Sequence, residues 1–237
     1  MSNTTDDKIR PQPVTHGLQS GFVCEIAGDP DGEFRVLIVI PAIDPEAKVW
    51  AKLANLYSTV EGGVFFYPEI GDDVLVGFLN NNHASPVILG SLYSKRTPPP
   101  VTPTQDNAVK AFVTKSELKI MFDDNNKIIT ITTPANNSVV LNDNTKSVTL
   151  TDENNNMVQL SPDSIKLDSQ SNITINARGD ISISGANVNM NAENTASLKA
   201  MNLTLNAEVT ATLSGSASLA LTSSGELSVK GSMVEIN

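Results

Sequence analysis

The chain has 237 residues, enough for one or two domains, and carries 26 Asp plus Glu against 16 Lys plus Arg, a formal net charge of −10. That balance argues against a protein that coats nucleic acid, which needs clustered cations on one face, and against one that rests on an anionic bilayer. The lone Cys24 excludes an intrachain disulfide.

Residues 1–15 form a polar arm. Its start, Met1-Ser2-Asn3-Thr4-Thr5-Asp6-Asp7, has neither the cationic nor the apolar region of a signal peptide, so cytoplasmic synthesis is expected. Residues 16–95 read as a compact β-domain. Strands are predicted over 21–27, 34–40, 63–67, 74–79 and 87–93, with 44–57 a short helical or irregular segment. The apolar run 36–40 reads as a buried strand, far too short to span a bilayer and closed by Pro41. Cys24 reads as a small core residue on the first strand. Gly28-Asp29-Pro30-Asp31-Gly32 has the residue types of a turn. A calcium loop is the sharper alternative, weakened because no bidentate Glu follows at the needed spacing. His16 and His83 stand far apart and belong to no metal-spaced cluster. Five short strands in about 80 residues fit a small barrel of the OB type.

All eleven Phe, Tyr and Trp residues lie at or before Phe122, which leaves 115 residues with none. Aromatics bury large apolar areas, so the second half must build a different kind of core. Between the halves, residues 96–116 form a linker whose Thr97-Pro98-Pro99-Pro100-Val101-Thr102-Pro103 run favours a stiff, extended path. Residues 117–162 then show apolar groups nine or ten apart: Leu118/Ile120/Phe122, Ile129/Ile131, Val139/Leu141, Val148/Leu150 and Val158/Leu160. The Asn- and Asp-rich runs between them read as hairpin turns of a β-hairpin shaft, with calcium loops again the alternative.

From Ile165 an apolar-x-apolar pair recurs every seven or eight residues: Ile165/Leu167, Ile173/Ile175, Ile181/Ile183, Val188/Met190, Ala196/Leu198, Leu203/Leu205, Ala211/Leu213, Leu219/Leu221, Leu227/Val229 and Val234/Ile236. Spacing by two puts both members on one face of a strand. Two residues after each of the first nine pairs stands a small residue, from Ser169 and Ala177 to Gly231, where the chain turns a corner. Such regularity marks a repeat architecture. Each rung offers only two inward side chains, too few for one winding chain to enclose an axis, whereas three chains wound together can. Each buried Leu, Ile or Val contributes roughly 1.5–3 kcal/mol, so leaving about twenty exposed in a monomer is prohibitive. The expected fold is all-β: an OB-type barrel, then an intertwined homotrimeric triple-stranded β-helix over 163–237. Ten rungs at about 4.7 Å make a needle of roughly 45–50 Å. The residues assigned to its core are Ile165, Leu167, Ile173, Ile175, Ile181, Ile183, Leu203, Leu205, Leu219, Leu221, Leu227 and Val229.

The run Val49-Trp50-Ala51-Lys52-Leu53, the stretch Gly62-Gly63-Val64-Phe65-Phe66-Tyr67-Pro68-Glu69-Ile70-Gly71-Asp72-Asp73-Val74-Leu75-Val76-Gly77-Phe78, and Pro86-Val87-Ile88-Leu89-Gly90-Ser91-Leu92-Tyr93 resemble the OB domain of the VgrG and phage baseplate assembly protein V family. The shaft, with its Phe122-Asp123-Asp124 hairpin, resembles that family too. The resemblance implies a central spike of a contractile phage tail, tailocin, type VI or extracellular injection system, which caps the inner tube and meets the target membrane only transiently. It implies a baseplate hub protein at the OB end, as a separate chain. Some relatives carry a His-x-His iron site at the apex, or a lysozyme domain. The end here, Gly231-Ser232-Met233-Val234-Glu235-Ile236-Asn237, has no histidine, and no length remains for an enzymatic domain, so no cofactor, metal or catalytic residue is expected. Val234, Ile236 and Asn237 become the expected contact for a PAAR-type tip protein.

Two other functions compete. A polysaccharide-degrading tailspike needs a carboxylate pair in a groove. Glu69, Asp72 and Asp73 are the candidates, but the aromatic-free shaft offers no sugar platforms, and the charges read as a turn beside a buried strand. A receptor-binding fibre would end in a distinct globular tip, whereas this repeat runs to within one residue of the end.

Overall fold

The computed structural model describes residues 17–235, so the expectations for the arm 1–15, His16, Ile236 and Asn237 lie outside the described residues. The chain divides into a first unit ending at Thr174 and a second beginning at Ile175.

In the first unit β1 (Gln19–Glu25), β2 (Val36–Ile40) and β3 (Asp44–Leu53) are successive antiparallel neighbours. A two-residue ladder of β4 (Ser58–Thr59) with β5 (Gly62–Gly63) precedes β6 (Asp73–Phe78) and β7 (Pro86–Ser91). The order β1-β2-β3-β7-β6 closes into a barrel in which only β3 and β7 run parallel. Closure pairs every strand edge.

Period-two side-chain alternation fills the interior. Val36, Ile38 and Ile40 point inward from β2, joined by Val23, Ala51, Val74, Val76 and Ile88. The run 36–40 is therefore buried on one face only, with Leu37 and Val39 half-buried outside. Where β1, β2 and β6 crowd together the chain uses Gly21. A Cβ there would lie 3.1 Å from the Val39 carbonyl oxygen and 3.2 Å from a Val76 methyl. Cys24 does sit on β1, but it is half-buried and outside the core cluster, because Val23 takes the inward position.

Two strand expectations change. The segment 44–57, read as helical or irregular, supplies the fifth barrel strand, β3. Its first five residues are exposed, and their charges and Pro45 hide the alternation of Val49, Ala51 and Leu53 behind them. Conversely, 63–67 is not a strand. Only Gly62–Gly63 pairs there, and Phe65 and Phe66 are left on the surface.

A single meander sheet follows: β8 (Val109–Val113), β9 (Lys119–Asp123), β10 (Ile128–Thr132), β11 (Ser138–Asn142), β12 (Ser147–Thr151), β13 (Met157–Leu160) and β14 (Ile165–Asp168), each antiparallel to the next. β8 lies within the stretch assigned to the linker, and β14 within the stretch assigned to the needle. Four-residue turns join several strands, closed by an N–H of Glu117, Asn136, Lys146 or Asn155 donating to the carbonyl three residues back. Each of those donors has a positive φ, from 50° at Lys146 to 64° at Glu117 and Asn136. Asn tolerates this left-handed backbone well, which explains part of the Asn content of the turns.

In the second unit the described residues form no strand or helix within the chain. A β-strand is defined by a partner backbone at about 4.8 Å, and the described residues here have none within their own chain.

Candidate functional site

Strand register builds one continuous apolar face on the meander. Antiparallel pairing places Phe112, Ile120, Ile131, Val139, Leu150, Val158 and Leu167 in one row across the sheet. A second row, two residues away along each strand, holds Phe122, Ile129, Leu141, Val148, Leu160 and Ile165. The opposite face, by the same alternation, carries Met121, Thr130, Val140, Thr149, Gln159 and Lys166. An antiparallel sheet with one apolar and one polar face normally buries the apolar one. Here most of its members remain exposed, Leu150 and Leu160 by 43% each, while Phe122, Val139, Val148 and Val158 are half-buried. At one end of this face Val139, Leu150, Val158, Leu167 and Ile173 line an apolar cup of about 480 Å³.

Ile165 and Leu167 thus sit on β14 and end the two rows. Ile173 lines the cup. The remaining expected core residues, from Ile175 to Val229, lie in the second unit. All twelve are exposed in the single chain, from 53% at Ile173 and Leu219 to 76% at Leu205. Val234 is likewise half-exposed. On the sheet the two rows make a contiguous apolar face, and such a face marks a surface that something covers, since soluble proteins rarely expose patches beyond a few hundred Å².

The polar edges of the sheet are laced turn to turn. The Asn144 side-chain amide donates to the Asn126 carbonyl at 2.9 Å, and that of Asn125 donates to Asp106 at 3.0 Å. On the other edge the Glu153 N–H donates to Asn137 Oδ1 at 3.2 Å. The Gln170 N–H and the Ser169 hydroxyl donate to Asn156 Oδ1 at 2.9 and 3.0 Å. The turn carboxylates serve the turns themselves. Asp123 accepts from the backbone and side chain of Asn126, and Asp152 from those of Asn156. These amide donors hold both carboxyls below the usual carboxylate range, as the Thr104 hydroxyl and the Asn125 amide do for Asp106.

The same holds in the barrel. The Asp29 side chain, 5% exposed, accepts from Arg35 Nε and Nη2 at 3.0 and 2.5 Å and from the N–H groups of Asp31, Glu33 and Arg35. The Arg35 guanidinium pushes the Asp29 carboxyl far below its ordinary range. Asp72 accepts from the Glu69 N–H at 2.9 Å, Glu69 pairs with Lys115 at 3.0 Å, and Asp73 pairs with Arg96 at 2.9 Å. All three carboxylates proposed for sugar chemistry are therefore engaged in shaping the turn or tying it to neighbouring segments. Among the described residues no group of three or more His, Cys, Asp or Glu is placed to hold a metal ion, and no helix is long and apolar enough to cross a membrane. His83 packs its ring 5.1 Å from that of Phe78.

Sequence reading missed the aromatic extension of the apolar face. Phe112 begins the first row, and the Phe66 ring lies 6.3 Å from it at an interplanar angle of 22°. The Phe65 and Tyr67 rings lie 4.8 Å apart, tilted by 34°, and the Tyr67 hydroxyl donates to the Phe34 carbonyl at 2.9 Å. The short apolar run Ala111-Phe112-Val113 was the available signal for β8, masked by the Pro-rich run before it.

Residues 19–93, which span all five barrel strands apart from the ends of the loops around them, match the family described as the type VI secretion system/phage-baseplate injector OB domain. No curated protein matches the chain at a significant level.

Proposed function

We propose, for a chain whose residues 19–93 belong to the type VI secretion system/phage-baseplate injector OB domain family, a structural role as the trimeric central spike of a contractile injection machine. The barrel domain carries the baseplate-related part of this reading. The finer part rests on one observation: two apolar rows cross the seven-stranded sheet of the first unit, and the second unit carries exposed apolar pairs of its own. Three copies that turn these faces toward a common axis bury the rows and give each rung of the second unit the strand neighbours it needs, as a triple-stranded β-helix. Force transmitted along such an axis drives a stiff, apolar-cored needle through an envelope. Rigidity, not catalysis, is then the mechanism.

Light scattering on the purified full chain is expected to give three times the chain mass, and a stable folded monomer would rule the spike out. Two partners belong to this reading: a hub protein of the baseplate at the barrel domain, and a PAAR-type tip protein near Val234, which exposes half its surface. Removal of residues 231–237 is expected to abolish capture of the tip protein and to leave capture of the hub unchanged. Retention of the tip protein by the shortened chain would place its contact elsewhere.

A further inference from the structure

We infer that a second copy of this chain covers the barrel's aromatic loop, residues 64–67, so that the barrel is itself part of the contact between copies. The inference rests on the trimeric reading and adds a surface to it. The first apolar row does not stop at the sheet's edge. Its end member Phe112 stacks with Phe66, which belongs to the barrel, so the row passes from sheet to barrel through two aromatic rings. Phe66 and Phe65 nevertheless keep 66% and 82% of their surface exposed. The Lys115–Glu69 ion pair, at 3.0 Å, ties the sheet's first hairpin to the turn after the loop, so the groove between them is formed in advance. Phe65, Phe66, Tyr93, Phe112, Leu118 and Ile120 supply its apolar lining.

The occupant is a second copy for a reason of length and continuity. Seven strands at about 4.8 Å give a face roughly 29 Å across, and the chain itself carries a face of equal length and spacing. A copy that covers Leu150 and Ile131 runs on along the same row to Phe112 and Phe66. Aromatic rings bury the largest areas per residue, so this end of the row is where added coverage contributes most.

Thiol labelling tests the inference. In a full chain with Cys24→Ser, the substitution Phe66→Cys places a single thiol in the loop, and Phe65→Cys in a second protein guards against the loss of the Phe66 ring. The reference is the same protein unfolded in urea, and light scattering gives the mass of the folded species. Labelling about tenfold or more slower than in urea, in a trimer, supports the inference, because only opening of the contact then exposes the thiol. Labelling of both thiols within about threefold of the unfolded rate, in a trimer, overturns it and leaves the trimer standing. A monomeric mass overturns the trimer and the inference together.

Discussion

Aspartate at positions 205 and 221 together is expected to abolish association, leaving a species of one-chain mass in light scattering. Both leucines belong to apolar pairs of the second unit, and both expose more than half their surface in the single chain. In the proposed arrangement three copies of each meet at the axis, so one assembly buries six leucine side chains, worth roughly 9–18 kcal/mol. The double substitution removes that burial and sets six carboxylates in its place. An ionised group taken out of water without a partner costs several kcal/mol, and like charges around one axis add repulsion. Thr204→Asp with Thr222→Asp is the matched control. These residues alternate with the leucines, so the period of two points them outward, and association is expected to persist. Survival of the trimer with aspartate at 205 and 221, or its loss only with the threonine pair, would reverse the inward register of the second unit.

The second large effect belongs to the sheet. Leu150→Asp is expected to lower the stability of the assembly by several kcal/mol, or to prevent it from forming, by placing a charge in the covered row. Thr149→Asp, one residue away on the same strand, is expected to cost about 1 kcal/mol or less, the ordinary penalty for Asp on a strand surface. The contrast follows from register. Leu150 stands between Val139 and Val158, whereas Thr149 stands between Val140 and Gln159 on the opposite face. Urea unfolding followed by light scattering separates the two variants. Equal losses would mean that both faces of the sheet are covered. A larger loss for Thr149→Asp would mean that the buried face is the other one.

The barrel domain was largely legible in the sequence because its signals are local. Short apolar runs at 19–25, 36–40, 73–78 and 86–91 lie between turn residues, and the Pro68-Glu69-Ile70-Gly71-Asp72 bend carries the family likeness. The strand at Asp44–Leu53 was not legible. Its inward residues occupy only its second half, and the charged first half is exposed and meets β2 across a register shift, which breaks the alternation. The aromatic loop misled in the opposite direction. Consecutive apolar residues at 64–67 look like a buried strand, but their long-range contacts are made off the sheet, Phe66 stacking on Phe112 and the Tyr67 hydroxyl donating to the Phe34 carbonyl.

The chain's own periodicity determined that the second half is built from pairs of apolar residues two apart, on one face, at intervals of seven to ten. That follows from side-chain alternation alone and needs no knowledge of neighbours. Only the tertiary structure decided how the pairs align. Hairpin geometry sets Ile131 opposite Ile120 and Val139, and Leu167 opposite Val158, which turns isolated pairs into two unbroken rows. Tertiary structure also decided that the first repeat pair, Ile165/Leu167, joins the antiparallel sheet, where the β13 edge is present to bond with it. The pairs that follow have no such edge within the chain. Pairing is a contact between backbones, and a local pattern can specify which residues face inward without specifying which backbone lies alongside.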